Sequence, residues 1–209
     1  MLQISLIVGA LAALLMFSGD MLLYFSTEDY HSDGKFESII AIMEKIPDWR
    51  LMLGGLLGPI SAFFYCIGFY HITLVVVEKY QTLAFATMLL CSLGMIISGA
   101  YHSHCTYLGL IAKTGSRVEM EKVIKYIKIL SGISFLFLAI GLLLIGGIIL
   151  LGRTYYPRWF FLLTPIILYF LKYVWKKVPQ PFLIVLYGGW YNLMFVIYFL
   201  AGLMLSFQF

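Results

Sequence analysis

The sequence predicts an all-α fold, a polytopic membrane helical bundle of about six transmembrane helices with a short amphipathic helix in the first loop. Three observations lead there. Of 209 residues, 62% are apolar and only 11% charged, where soluble domains carry roughly a quarter charged residues. The apolar residues fall in runs near or above the roughly 20 needed to cross the hydrocarbon core of a bilayer. Lys and Arg gather in alternate loops, which is how inserted helices are oriented.

The apolar windows place helices at about residues 4–25, 51–77, 82–111, 127–151, 159–174 and 182–207, within a single transmembrane domain over residues 1–209. The first follows Met1-Leu2-Gln3 without a basic segment before it, so it reads as a retained helix and not a cleaved signal. The fifth is the shortest, and Pro165 should kink it.

The first, third and fifth loops hold Lys35, Lys45 and Arg50, then Lys113, Arg117, Lys122, Lys125 and Lys128, then Lys172, Lys176 and Lys177, eleven in all. The opposite side holds three, Lys79, Arg153 and Arg158. This asymmetry puts the odd loops in the cytoplasm and both termini outside. The first loop also carries Glu28, Asp29, Asp33, Glu37, Glu44 and Asp48, but acidic residues count little in this rule. The formal charge of +4 is thus spent on topology, and no nucleic-acid partner is implied.

After Asp33-Gly34, residues Phe36, Ile39, Ile40 and Met43 recur at helical spacing opposite Lys35, Glu37, Glu44 and Lys45. Two placements fit this amphipathic pattern: a helix lying on the membrane surface, or one packed across the cytoplasmic mouth of the bundle. Small residues mark close helix approaches, with Gly54, Gly58 and Ala62 on one helix, and Gly94 and Ser98 leading to His102 on the next. The glycine pairs Gly146-Gly147 and Gly188-Gly189 lie inside apolar runs as packing or flexibility features.

Asp20 is the most informative polar residue. A carboxylate inside an apolar run costs up to roughly 2.5–3.5 kcal/mol at the bilayer centre, so it needs a partner, water or a proton. On the third helix, Ser98 and His102 are four apart and share a face with Cys105 close by, whereas His104 is turned about 200° from His102. At compatible depths, a pocket in the cytoplasmic half could gather Asp20, Tyr24, Ser61, Tyr65, Ser98, His102 and Asn192. His71 and His31 read as interface residues, and Tyr155, Tyr156, Trp159, Phe160 and Phe161 beside Arg153 and Arg158 as an aromatic belt. Cys66, Cys91 and Cys105 have no Cys-x-x-Cys spacing and read as buried thiols, so no disulfide or structural zinc is implied. Phosphate-loop, dinucleotide, zinc-protease and nucleophile-elbow motifs are absent, and no cofactor is implied.

Ser98-x-x-x-His102, with an intramembrane aspartate elsewhere, resembles part of the pattern of the alkaline ceramidase and adiponectin-receptor superfamily of seven-helix zinc hydrolases. The chain departs from it because no histidine follows His104, so a three-histidine site cannot be assembled in that order. Gly19-Asp20-Met21-Leu22-Leu23-Tyr24 and Gly58-Pro59-Ile60-Ser61 are similar to segments of uncharacterised small multi-pass bacterial membrane proteins, a resemblance that implies membrane architecture and no activity.

Three functions remain in view. The first is binding, transport or sensing of a small-molecule or lipid ligand in the cytoplasmic-half pocket, with Asp20 and His102 linked to a proton. The second is a scaffold or assembly subunit whose small-residue faces bind a membrane-protein partner or a second copy. The third is a metal-dependent intramembrane hydrolase using His102, His104 or Cys105 with Asp20, which needs a local break in the third helix.

Overall fold

The computed structural model describes residues 1–27 and 36–208, and these are almost wholly helical, with no strand among them. Helix α1 spans Leu2–Tyr24, α2 Phe36–Lys45 and α3 Asp48–Phe69, followed by the short α4, His71–Val75. Helices α5, Gln81–Thr114, and α6, Arg117–Leu150, form a long hairpin. Beyond it the backbone is broken into a tight helical turn at Arg158–Leu163, α7 at Pro165–Leu168, α8 at Lys172–Trp175 and a wide turn at Ile184–Gly188, before α9 runs from Trp190 to Ser206. His31 lies outside the described residues.

Four stretches are long and apolar enough to cross a membrane: Leu2–Tyr24, Asp48–Val75, Glu78–Thr114 and Arg117–Leu150. The remaining apolar helices, Pro165–Trp175 and Trp190–Ser206, are shorter. Two expected spans therefore differ from a continuous helix. At the fifth, Thr164 is extended (φ −67°, ψ 144°), because the ring of Pro165 bars the residue before it from the helical region. The expected kink is a break. At the sixth, Gly188-Gly189 ends the wide turn, and α9 starts only at Trp190.

Apolar windows also underestimate helices that run past the apolar stretch. Helix α6 begins at Arg117, ten residues before its apolar window, since Lys, Glu and Met are good helix formers whether or not lipid surrounds them. Helix α3 begins at Asp48 after Pro47, so Gly58-Pro59 lies in mid-helix.

The helices pack in a ring. Helix α3 lies between α1 and α5, α5 continues to α6, α1 also packs on α9, and the broken segment 158–175 joins α6 to α9. Glycines set the closest approaches. A Cβ at Gly68 would lie 2.5 Å from the Cα of Gly9, one at Gly19 would lie 3.0 Å from the Gly54 carbonyl oxygen, and one at Gly58 would lie 2.8 Å from that of Gly99. Backbones touch at these points, which gives the dense van der Waals contact that helices in lipid depend on.

Pro59 has no N–H for the carbonyl of Gly55. The hydroxyl of Ser103 on α5 donates to that oxygen at 3.2 Å, and Thr106 Oγ1 donates to the Leu51 oxygen at 2.9 Å. The freed carbonyl thereby becomes a stitch between α3 and α5.

Of the two placements for the amphipathic helix, α2 adopts the one across the end of the bundle. Ile42, Met43 and Ile46 are buried with Leu23, Leu51 and Leu108. The expected interface residue His71 is instead fully buried. Its Nδ1–H donates to the Gly68 oxygen at 2.7 Å and its Nε2 accepts from the Tyr198 hydroxyl at 3.0 Å. Between α3 and α4 the backbone tightens to bonds three residues apart, and the imidazole lies among Tyr156, Tyr198 and Phe199. The aromatic belt is likewise split: Tyr155 and Trp159 are exposed, whereas Tyr156 and Phe160 belong to the core.

The backbone contact predicts an asymmetric response to alanine. Gly68→Ala should lower stability in detergent by about 1–3 kcal/mol, because neither backbone can yield easily. Gly147→Ala meets nothing within 4 Å and should be neutral or stabilising in the same thermal-unfolding assay.

Candidate functional site

A cavity of about 560 Å³ lies inside the ring, walled by α1, α5, α6, α7 and α9, with Ile39 and Met43 of α2 at one end. Its size is within the range of small-molecule sites. Most of the wall is apolar, including Leu138, Leu142, Met194 and Phe195.

Asp20, one turn before the end of α1, sits on this wall because Gly19 packs against α3 and brings the next side chain into the bundle. Its Oδ1 lies 3.1 Å from His102 Nε2, and its Oδ2 accepts from Asn192 Nδ2 at 2.7 Å. Asn192 Oδ1 in turn accepts from the Tyr65 hydroxyl at 3.1 Å. All four residues are buried. The phenol can only donate to the amide oxygen if the amide nitrogen faces the carboxylate, so the network has one consistent direction. Four elements, α1, α3, α5 and α9, are tied through one carboxylate.

His102 is held by shape as well. A Cβ at Gly19 would be 2.8 Å from its Cε1, and one at Gly58 would be 2.7 Å from its Cβ. With Nε2–H donating to Asp20, the other nitrogen, Nδ1, is buried and has no partner among the described residues. A catalytic base oriented by a carboxylate presents its second nitrogen to the substrate. Here that nitrogen is enclosed, which suits the pair to anchoring α1 against α5.

The end of α1 is fixed by a residue that sequence reasoning treated only as a topology marker. The guanidinium of Arg50 donates from Nη2 to the oxygens of Met21 (3.0 Å) and Phe25 (3.3 Å) and from Nε to that of Leu22 (3.2 Å). It supplies a donor to the Leu22 oxygen at the helix end, adds a second donor to the Met21 oxygen, which already accepts from the Phe25 N–H, and places a cation where the helix dipole favours one.

Of the expected pocket residues, Asp20, Tyr24, Ser98, His102 and Asn192 line the cavity, as does Cys105. The Tyr24 hydroxyl donates to the Gly188 oxygen at 3.2 Å. Tyr65 joins only through Asn192. Ser61 does not take part; it is buried and donates to Leu57 of its own helix at 2.6 Å. His104 donates from Nδ1 to the Ala100 oxygen at 2.7 Å and lies against Tyr126 of α6, on the flank away from His102. Helix α5 is unbroken through this region. Among the described residues no three His, Cys, Asp or Glu side chains converge on a point that could hold a metal.

A second polar stretch of the cavity was not foreseen. Tyr169, Lys172, Tyr187 and Tyr191 line it, with Lys172 Nζ 4.1 Å from the Tyr191 ring centroid and 4.6 Å from that of Tyr187. The signal was present, because Tyr169, Lys172, Tyr173 and Lys176 recur at helical spacing; assigning the lysines to topology hid it. Part of the α6 wall is also exposed. Ser131, Gly132 and Phe135 line the cavity yet remain exposed, and a side chain at Gly132 would meet nothing within 4 Å. Next to it the Phe135 and Tyr169 rings are in contact, with centroids 6.0 Å apart.

An all-helical bundle with four helices of membrane-spanning length and a buried polar network beside an apolar cavity defines the class, a membrane protein by length and composition. Residues 1–208 match the model of a family of unknown function, DUF6796, and the chain belongs to that family. No curated protein and no solved structure matches it.

Asp20 is the shared partner of the network, so its two neighbours should not be equivalent to it in mutation. His102→Ala leaves a buried carboxylate short of a donor and should cost about 2–3 kcal/mol. Asp20→Asn keeps the shape, and its amide nitrogen can donate to His102 Nε2 once the imidazole proton sits on Nδ1, so it should cost less. Thermal unfolding of both variants in one detergent checks the order.

Proposed function

We propose that this is a multi-pass membrane protein that crosses the bilayer about six times, with both termini outside, and that its cytoplasmic-half cavity binds a small amphipathic or lipidic ligand for transport or sensing. The observation that carries the reading is the cavity itself: largely apolar, with polar groups at Asp20, His102 and Asn192 and at Lys172 and its tyrosines, and lined on α6 by the exposed Ser131, Gly132 and Phe135. A ligand with an apolar body and a polar group fits that distribution, and the exposed edge of α6 between Ser131 and Phe135 is the route by which a molecule dissolved in the bilayer would reach it.

The orientation is supported by Lys45, Arg50, Lys113, Arg117, Lys176 and Lys177, which all belong to the end of the bundle where α2 lies. The fifth crossing is supported by residues 158–175, whose helical turns amount to roughly 30 Å, about the thickness of the hydrocarbon core. The scaffold alternative loses its main sequence argument, because Gly54, Gly58 and Gly94 meet helices of the same chain. The hydrolase alternative required a break in α5.

Within this reading Asp20 and His102 form a proton-linked pair, since a proton on Nε2 faces Oδ1 directly. Any pH dependence of ligand binding should disappear in Asp20→Asn; a variant with the parental pH profile would rule the role out. The primary test is native mass spectrometry from mild detergent. A small molecule or lipid in whole-number ratio is expected, and Gly132→Trp should reduce its occupancy without loss of folded protein. A chain that is empty in every mild detergent tried overturns the proposal.

A further inference from the structure

On the lysine wall, Lys172 and Lys176 are one helical turn apart and share a ring, Tyr187, with Lys172 Nζ 4.6 Å and Lys176 Nζ 5.8 Å from its centroid. Lys172 also lies over Tyr191 at 4.1 Å, and Lys176 over Tyr173 at 5.7 Å. Between them is a recess of about 120 Å³, lined by Tyr169, Lys172, Tyr173, Lys176 and Tyr187. It adjoins the large cavity, with which it shares Tyr169, Lys172 and Tyr187.

No carboxylate among the described residues pairs with either ammonium. Asp20, the acidic residue of the cavity, has its two oxygens engaged by His102 and Asn192. Two like charges a turn apart repel, and contact with a ring face returns only about 0.5–2 kcal/mol. An anion in the recess would relieve the repulsion and take charge-assisted hydrogen bonds from both lysines. The volume is about four times the share of a water molecule, each about 30 Å³, which accommodates a tetrahedral oxyanion. The recess contributes charge and phenols, and the adjoining cavity contributes apolar length.

Resting on the proposed function, we infer that the ligand is an anionic amphiphile, a lipid whose phosphate-bearing headgroup sits between Lys172 and Lys176 while its chain occupies the large cavity. The basic pair lies at the end of the bundle that carries most of the lysines and arginines. Anionic lipids are attracted to such clusters at the cytoplasmic face.

The experiment is competitive lipid retention. The full chain in mild detergent is mixed with equal amounts of phosphatidic acid and phosphatidylcholine of the same chain length and read by native mass spectrometry. Phosphatidic acid should be retained about tenfold over phosphatidylcholine, because its terminal phosphate offers free, doubly charged oxygens to both lysines, whereas that of phosphatidylcholine is esterified on both sides and offset by its choline. One charged hydrogen bond corresponds to at least about that factor. The Lys172→Gln/Lys176→Gln variant should lose the preference, and Lys122→Gln, on exposed α6, should keep it. Displacement of the lipid by millimolar inorganic phosphate would assign the recess to a free anion and overturn the lipid headgroup. Retention of both lipids alike, unchanged in the double variant, would overturn the anion site and leave the cavity reading standing. Retention of neither lipid would count against both.

Discussion

The architecture depends on how closely α3 can be approached from two sides. Helices in lipid gain little from burying apolar surface against one another, so their association rests on packing and on hydrogen bonds between them. Gly54 admits α1 and Gly58 admits α5, which leaves room for one imidazole, that of His102, against Gly19 and Gly58. The Asp20–His102 contact at 3.1 Å is a consequence of that spacing. Larger side chains at these positions would push α1 and α5 outward and separate the two groups that the network requires.

The polar groups also compensate for backbone that regular helices would have satisfied. Pro59 frees the Gly55 oxygen, and Ser103 takes it. Arg50 takes the last oxygens of α1, and Lys113 joins the Ile46 oxygen and the Asp48 carboxylate at the same end. In the broken half of the ring, Trp190 Nε1 donates to the Leu168 oxygen at 2.8 Å and Tyr24 to that of Gly188. Irregular backbone between apolar helices is sustained where such donors reach it or where it borders a cavity, and the cavity here borders both breaks.

The two halves therefore contribute differently. Helices α1, α3, α5 and α6 are long, regular and tightly apposed, and they supply the fixed polar wall. The stretch from Arg158 to Gly189 is short-turned and interrupted. It contributes Tyr169, Tyr187 and the half-buried Lys172 to the cavity wall. A bundle of six unbroken helices packed as closely as α1 on α3 would have no space of this size.

What the sequence determined by itself is the helical class, the four long apolar helices and the short amphipathic segment. Each follows from local composition and periodicity, which act along the chain without regard to neighbours. Asp20 and His102 were legible as unusual because a polar group in an apolar run is costly wherever the helices lie. Their pairing, the inward turn of His71, the capping of α1 by Arg50 and the lysine-tyrosine wall were decided only by the tertiary structure. Each joins residues on different helices, and which helices are neighbours depends on glycine contacts and backbone breaks whose partners lie tens of residues away. Ser61 and Ser98 show the difference most simply: both are hydroxyls on apolar helices, yet one turns back on its own carbonyl while the other faces the cavity.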